Sequence, residues 1–353
     1  MKKTFSNLLS MLFMAVMATV ISAVTGFAPL LVLGGLVVSA IIPMPSGVSF
    51  MAITKELWIN DVVANLFRAN PHLANAYNAD AFVYQGKVVH IPNAGSKPAI
   101  TKNRSSYPAT VVNRTDTDIT FSLDEYSSEP VRIANAEKYE LSYDKRASVM
   151  GAQYSSIAET IGDWFFYYWA PTVLAQMART TGTTAAATYT GATGVRNILM
   201  LADIQKMQKL FNKQNIPQMD RFAQLDADMY DQLLNQLNAT TYRDFSAAMN
   251  LEAGVVGKLF GFTFLAPRTT VLVYDNTATP IPYDPSQTPA AATANAAGLF
   301  WHKDSVIRAL GQNDFFENLN DPLYYGDVYS TLVRAGGRVR RNDGYGVAAL
   351  VQA

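Results

Sequence analysis

Three aspartates close together in the sequence, Asp226, Asp228 and Asp231, are the residues with the most obvious chemistry. Their carboxylate oxygens are ligands of the type that divalent cations take in proteins. The alternative is structural, because Asp226 can cap a helix and Asp228 can interact with the positive end of that helix. The asparagine and glycine positions that complete a calcium-binding loop are missing from this segment. The pattern therefore favours the start of a helix over a metal site.

The remaining groups that could support catalysis are sparse. His72, His90 and His302 are too far apart in the sequence to form a metal-binding motif, and we expect each to be structural. The chain has no cysteine, which excludes disulfides, thiolate metal sites and cysteine nucleophiles. It also lacks a G-x-S-x-G elbow, a phosphate-binding loop and a dinucleotide glycine pattern. We expect no enzyme, no metal and no cofactor; a membrane-anchored hydrolase that uses acidic residues is the weakest alternative.

The densest group of aromatic side chains is the run of six residues from Trp164 to Trp169. Such a run can stack on a sugar or a nucleic-acid base. On a helix, however, these side chains point in all directions, so several faces of the helix must be covered. We therefore expect packing within the fold and against neighbouring subunits, with Trp164, Phe165 and Trp169 as packing residues.

The aromatic run lies in a long segment that favours a helix. Ser142 or Asp144 can cap its N-terminus, and no strong breaker follows until Pro171. A helix from Tyr143 to Arg179 would have about 37 residues and a length of about 55 Å at 1.5 Å per residue. We expect Pro171 to kink or restart this helix, because proline lacks a backbone N–H.

A polar excursion precedes this helix over residues 86–129. Alternating apolar residues predict a hairpin over residues 81–92 and a return strand over residues 110–123, which together form a long two-stranded arm. The arm is basic and its root is acidic. The basic residues are Lys87, Lys97, Lys102, Arg104 and Arg114, and the acidic residues are Asp116, Asp118, Asp124, Glu125 and Glu129.

Opposite charges at the two ends of one arm permit head-to-tail contacts between copies, and heterologous contacts of this kind build rings. The alternative is a hairpin that is simply solvated, and the sequence leaves both open.

A second basic cluster lies near the C-terminus, at Arg334, Arg338, Arg340 and Arg341. Alternation along a strand places Arg338 and Arg340 on one face. There they can meet a phosphate, face solvent or pair with Glu125 or Glu129 of a neighbouring subunit. The last two are the favoured interpretations.

The first fifty residues differ from the rest of the chain. No charged residue or histidine occurs between Lys3 and Lys55, and two apolar runs fall within residues 8–42. Each run is near the lower limit for a membrane span, which takes roughly 17 to 25 residues. Three interpretations stay open: a membrane hairpin or anchor, a leader that is processed or buried against other subunits, and a mis-assigned start with Met51 as the true first residue.

The composition of the whole chain disfavours a nucleic-acid binder. Charged residues make up 16% of the 353 residues, and the formal net charge is zero. The remaining patterns mix helices with antiparallel strands, which predicts an α+β fold. They are a linker over residues 180–193, a helix over 199–215, strands over 222–225 and 299–301, a short helix over 226–237, a strand pair within 260–273, a helical turn over 304–310 and a terminal hairpin over 329–351 around Gly336, Gly337 and Gly344.

From Met51 onwards the chain resembles the major capsid proteins of tailed bacteriophages, especially those associated with Bacteroidetes hosts. None of the matching motifs is catalytic, and the order of arm, long helix, α/β domain and Gly-Gly-Arg end is their most specific part. The motifs lie at residues 52–58 (AITKELW), 86–92 (GKVVHIP), 118–121 (DITF), 143–149 (YDKRASV), 169–172 (WAPT), 257–262 (GKLFGF) and 336–340 (GGRVR).

The resemblance implies the Hong Kong 97-type capsid fold, an α+β fold with an extended β-arm, a long spine helix and an axial α/β domain. The arm tip, from Lys87 to Arg114, would lie over an adjacent subunit, and the spine helix would run from Asp144 to Trp169. The implied segments are an apolar leader (1–50), an N-terminal arm and helix (51–83), the extended β-loop (84–130), the peripheral domain (131–180), the axial domain (181–330) and a C-terminal hairpin (331–353).

The same resemblance implies a shell protein. Copies would assemble in the host cytoplasm into pentamers and hexamers of an icosahedral virion capsid, enclosing double-stranded DNA without sequence-specific binding. A portal and a scaffold or maturation protease would be partners, and membrane contact by residues 8–42 stays open. The alternative function is a membrane-anchored, β-rich envelope interaction protein.

Overall fold

The computed structural model describes residues 61–84, 87–93, 100–105, 107–108, 111, 117–134 and 145–353. The chain divides into two units, Met1–Trp58 and Ile59–Ala353, and every described residue belongs to the second. The predicted apolar leader therefore lies outside the described residues. None of the helices in the described ranges is both long and apolar enough to cross a membrane.

The described residues form a mixed α+β fold, as the sequence predicts. The helices are α1 (61–69), α2 (Pro71–Ala74), α3 (Lys145–Trp169), α4 (Leu201–Lys213), α5 (Ala227–Leu234) and α6 (Ala239–Ser246), with short 3₁₀ turns at Asp80–Phe82, Leu174–Gln176 and Lys303–Ser305. The strands are β1 (Tyr77–Asn78), β2 (Val83–Tyr84), β3 (Val88–Asn93), β4 (Thr117–Ser122), β5 (Asp124–Ser127), β6 (Val131–Ala134), β7 (Met177–Arg179), β8 (Thr184–Ala186), β9 (Val195–Asn197), β10 (Arg221–Gln224), β11 (Val255–Leu259), β12 (Phe262–Leu265), β13 (Leu272–Tyr274), β14 (Asn295–His302), β15 (Val306–Asp321), β16 (Gly326–Val339) and β17 (Val347–Val351).

Two sheets carry most of the architecture. The first, which we call the hairpin sheet, has the order β1-β15-β16-β5, and β6 also pairs with β16. The second has the order β11-β12-β10-β14-β17-β7, with β13 on the edge of β14. Strands β14 and β17 are buried along their whole length, which suits their nearly continuous apolar sequences. Helices α4 and α5 bury Phe211 and Leu233 in the core of the second sheet.

Helix α3 is shorter than predicted. It ends at Trp169, and the chain then passes through a 3₁₀ turn into β7, which pairs in parallel with β17. Pro171 is the reason, because the residue before a proline avoids the helical region and proline itself has no N–H to donate. The prediction of a helix reaching Arg179 is therefore wrong. The predicted capping residues Ser142 and Asp144 lie outside the described residues.

The predicted C-terminal hairpin does not form. Strand β16 pairs with β15, with Val339 opposite Val306 at one end and Gly326 opposite Asp321 at the other. Strand β17 belongs to the second sheet. The predicted boundary between residues 330 and 331 falls inside β16. Two glycines with positive φ, Gly344 and Gly346, lead the chain from one sheet to the other.

Three smaller predictions also need correction. The predicted linker over residues 180–193 contains β8, which pairs with β9. Strands β12 and β13 both exist in the predicted pair region, but β12 pairs with β10 and β11, and β13 pairs with β14. The helical turn expected over residues 304–310 is only a 3₁₀ turn, and β15 begins at Val306. The local patterns there did not reveal which strands would pair.

The Gly336-Gly337 pair allows two elements to approach β16 closely. A Cβ atom on Gly337 would lie 2.9 Å from ring carbons of Phe165 on α3 and 2.9 Å from the carbonyl oxygen of Ile307. A Cβ atom on Gly336 would lie 2.9 Å from a methyl carbon of Leu123. Real Cβ atoms do not approach other atoms this closely, so the absence of side chains brings the helix and the arm root against the strand.

Asp226 caps helix α5, as the sequence predicts. Its Oδ1 accepts a hydrogen bond from the backbone N–H of Met229 at 2.6 Å. The Thr188 hydroxyl lies 3.2 Å from its Oδ2. Burial raises the pKa of Asp226 to about 6, from an ordinary value of 3.8. The carboxylate therefore acts as a cap in a site that disfavours its charge.

Replacing Gly337 by alanine should destabilise the fold by about 1–3 kcal/mol, because the new methyl group must displace Phe165 or the neighbouring backbone. The matched control is Gly151→Ala on the same helix that Gly337 contacts. A Cβ atom there meets nothing within 4 Å, so this change should stabilise the protein by up to about 1 kcal/mol. Urea unfolding of the two variants measures both effects, and equal stability of Gly337→Ala and the parent would contradict the packing argument.

Replacing Asp226 by asparagine should remove a pH dependence of stability. The native pKa of about 6 lies above the ordinary 3.8, so the unfolded chain ionises first as pH rises. The free energy of unfolding of the parent protein should therefore fall by up to about 3 kcal/mol between about pH 4 and pH 6 and then level off. The asparagine side chain would keep an acceptor for the Met229 N–H without ionising, so the Asp226→Asn protein should be the more stable one at pH 7.5.

Free energies of unfolding at pH 4.5 and pH 7.5 test this expectation. Asp244→Asn is the control, because Asp244 is an exposed residue of α6. A pH profile of Asp226→Asn that parallels the parent profile would show that Asp226 is not the responsible group.

Candidate assembly interface

The root of the predicted arm is a three-stranded sheet fixed to the body. Strands β3 and β4 pair antiparallel, with Val88 opposite Ser122 at one end and Asn93 opposite Thr117 at the other. Strand β2 pairs with β3. Residues Val89 and Ile119 are buried in one cluster with Ile307 and Ala309 of the hairpin sheet. The root of the predicted two-stranded arm is therefore present, and its apolar face packs against the hairpin sheet.

The described residues beyond this root are exposed. Ile100 is 97% exposed and Tyr107 is 79% exposed, although both side chains are large and apolar in part. Lys102 and Arg104 are exposed beside them. Two further predicted arm residues, Lys97 and Arg114, lie outside the described residues. The described part of the tip thus combines positive charge with uncovered apolar surface.

Lys87 and Glu125 interact within the chain, and their predicted roles between subunits stay a prediction. Glu125 lies opposite Arg334 on the neighbouring strand β16, with 3.0 Å between Oε1 and the arginine Nε. The Lys87 Nζ lies 3.8 Å from the same carboxylate. These contacts link the arm root to the hairpin sheet, so Lys87 belongs to the root and Glu125 is engaged by both cations.

Asp124 is also engaged at the root. Its carboxylate accepts a hydrogen bond from the Tyr168 hydroxyl of α3, and this hydroxyl lies 2.9 Å from that of Tyr126. Burial, opposed only in part by the bond to Tyr168, raises the pKa of Tyr126 to about 12. Burial and the bond to Asp124 raise the pKa of Tyr168 as well. Both phenols therefore stay neutral donors at physiological pH.

The remaining predicted partners have local contacts. Arg338 donates to the carbonyl of Thr120 at 3.2 Å, and the guanidinium of Arg340 lies 4.3 Å from the ring centre of Tyr77. The side chain of Glu129 is exposed, and its carbonyl accepts a bond from Gln153. The two arginines help to hold the arm root and β1 in place within one subunit.

The aromatic run on α3 packs inside the fold. Phe165, Phe166 and Trp169 are fully buried, whereas Trp164 is half-buried and meets Tyr167 edge to face. The Trp169 indole N–H donates to the carbonyl of Ile307 at 2.9 Å. Phe165 and Trp169 thus pack within the fold, and packing against neighbouring subunits stays a prediction.

The candidate catalytic groups lie in structural positions. His72 is buried 4.1 Å from the ring of Phe166, and burial holds its pKa well below the usual value. His90 pairs with Asp118 at 2.9 Å on the exposed arm root. The His302 ring accepts from the N–H of Asp304. Among the described residues, no group of three or more His, Asp or Glu side chains is arranged to hold a metal ion.

A groove of about 570 Å³ lies between α3 and strands β5 and β6. Its described lining includes Tyr126, Glu129, Gln153 and Ile157. Glu129 is the one carboxylate in that lining, and no lysine or histidine accompanies it. Among the described lining residues, the groove therefore shows no pair of acid and base groups of the kind that general acid–base catalysis uses.

The sequence reasoning missed one exposed feature, the end of the β15–β16 hairpin. Several large apolar side chains there are exposed, and the sequence from residue 309 to residue 333 contains four acidic residues and no lysine or arginine. That uniform charge is the signal that could have drawn attention to the segment. The exposed apolar residues are Phe316, Leu319, Leu323, Tyr324 and Tyr325.

Solved structures with a similar fold are capsids. The capsid structure of the cyanophage P-SCSP1u matches with a TM-score of 0.54 and 18% identity, over 78% of this chain and 86% of that one. The capsid of Ralstonia phage GP4 matches with a TM-score of 0.54 and 15% identity, over 78% and 86%. The head structure of Helicobacter pylori bacteriophage KHP40 matches with a TM-score of 0.51 and 12% identity, over 80% and 90%. These similarities show the capsid fold.

A comparison with curated proteins found no match. The family model described as "Phage capsid protein" matches residues 84–322, which include the arm, helix α3, most of the second sheet and strand β15. This is more than half of the chain, and it agrees with the fold that the capsid structures share. The chain belongs to the phage capsid protein family.

Proposed function

We propose that this protein is the major capsid protein of a tailed phage and that its copies assemble into an icosahedral shell. The observation that carries the proposal is the arm, whose base is fixed while the described part of its tip is exposed. Ile100 and Tyr107 would leave water on contact with another copy, which favours association. Family membership supports this function and gives no support to the alternative of an envelope interaction protein.

The proposed shell consists of pentamers and hexamers and encloses double-stranded DNA. A formal net charge of zero suits a wall that holds DNA without binding it tightly, because tight binding needs many phosphate contacts from lysine and arginine. The role is structural and not enzymatic. We infer assembly in the host cytoplasm with a portal and a scaffold or maturation protease as partners.

Electron microscopy of negatively stained, purified protein tests the proposal. Residues 51–353 and the full-length chain should be compared. Closed shells, tubes or rings of five and six subunits are expected. A monomer in both preparations, even when the phage's own scaffold is co-expressed, would count against a self-assembling shell protein.

Replacing Lys97, Lys102 and Arg104 by glutamate should impair assembly and leave the subunit folded. The change turns a basic tip into an acidic one, and like charges at an interface weaken association. The yield of assembled particles in sedimentation and the circular dichroism spectrum of the subunit measure the two effects.

The control carries the same change in net charge elsewhere, at the exposed residues Lys209, Lys213 and Lys258. It should assemble like the parent protein. If the arm variant gave the parent yield of particles, the tip would have no charge-dependent role in assembly.

A further inference from the structure

A second cavity, of about 210 Å³, lies between helix α3, strand β13 and the neighbouring loops. Three tyrosines from separate parts of the chain line it: Tyr167 of α3, Tyr189 of the loop between β8 and β9, and Tyr283 of the loop between β13 and β14. All three are half-buried. Because the face of a tyrosine ring attracts a cation, a cavity with several such rings suits an organic cation.

Two of these rings are held in place by their own contacts. Tyr167 belongs to the aromatic run of α3, and its ring centre lies 5.7 Å from that of Trp164 in an edge-to-face arrangement. The backbone N–H of Tyr283 donates to the carbonyl of Val273 at 2.8 Å, and its hydroxyl lies 3.5 Å from that of Thr293. A site that is formed before the ligand arrives loses little entropy on binding.

Two carboxylates, those of Asp163 and Asp284, line the same cavity, and its described lining contains no lysine or arginine. The N–H and the hydroxyl of Ser286 both donate to Oδ1 of Asp284 at 2.8 Å. Its Oδ2 has no hydrogen-bond partner among the described residues. One carboxylate oxygen at the cavity is thus left to accept from a ligand.

Asp163 is paired, but the pairing does not offset the local negative charge. Its Oδ1 lies 2.7 Å from a guanidinium nitrogen of Arg268. Burial nevertheless raises the pKa of Asp163, Arg268 opposes this shift, and the nearby Glu159 adds to it. With Asp284, three carboxylates then face one guanidinium. A further cation at this place would be stabilised.

Beyond the proposed function, we propose that this cavity binds an alkylammonium ion, an aliphatic chain that ends in a primary ammonium group. The ammonium would lie among the three tyrosine rings and donate to the Asp284 carboxylate, because such a group carries three N–H donors. The aliphatic chain would contact Val271 and Pro289 in the lining. A metal ion fits less well, since no group of three or more acidic or histidine side chains converges among the described residues.

Equilibrium dialysis of the full-length protein, freed of nucleic acid, against radiolabelled 1,4-diaminobutane tests the proposal. Saturable binding of one molecule per chain is expected. Unlabelled 1,4-butanediol has the same aliphatic chain without the charge and should not compete. A free diamine and a lysine side chain of another protein chain carry the same ammonium group, so Nα-acetyl-lysine amide is the third competitor. Competition stronger than that of unlabelled diamine identifies a lysine side chain as the ligand, and weaker competition identifies a free amine.

Two variants locate the binding in this cavity. Asp284→Asn keeps an acceptor for Ser286 and removes the charge, so the diamine should bind about tenfold more weakly. Tyr189→Ala removes one ring and should weaken binding several-fold. The matched controls are Asp244→Asn and Tyr242→Ala, because both residues are exposed on α6, outside the described lining of the cavity. Both should bind the diamine like the parent protein.

Three results would overturn the site: no saturable binding of the diamine, competition by butanediol as strong as that by the unlabelled diamine, or unchanged binding in both cavity variants. Each of them leaves the capsid function as proposed, because the particle assay measures assembly and the dialysis measures binding of the amine.

Discussion

Close packing of helix α3 against strand β16 is the constraint on which the rest of the structure depends. Phe165 reaches the strand only because Gly337 has no side chain there. From this contact the helix extends to Trp169, which donates to the backbone of Ile307 and lies 6.0 Å from Trp301 of the second sheet. One helix end therefore touches both sheets, and burial of large aromatic rings makes this junction energetically dominant.

The position of this junction also determines which charged side chains are paired within the subunit. The arm root lies beside α3 and β16, so its acids are close to Tyr168 and Arg334 and are engaged within the subunit. Exposed ion pairs of this kind contribute little to stability. Here the contacts link the arm root to β16 and α3. Lys102 and Arg104 of the described arm tip stay exposed, and large apolar side chains stay exposed at the end of the β15–β16 hairpin.

Local patterns predicted the elements whose information lies within a few residues. The α4 helix followed from its apolar spacing, and the Asp226 cap followed from an acceptor placed directly before a helical segment. The pairing of strands was not local. The sequence predicts a terminal hairpin for the Gly336-Gly337 segment, but the segment pairs with β15. The sequence of one strand does not specify which other strand it pairs with.

The sequence by itself determined the absence of cysteine chemistry, the α+β character, the basic arm and the positions of helices α3, α4 and α5, since composition and periodicity are properties of the chain alone. Only the tertiary structure decided that β16 pairs with β15, that Glu125 pairs with Arg334, and that the hairpin end is exposed. These facts depend on residues that are distant in sequence and close in space. Burial and pairing arise from the whole fold, so the strength of a local pattern does not reveal them.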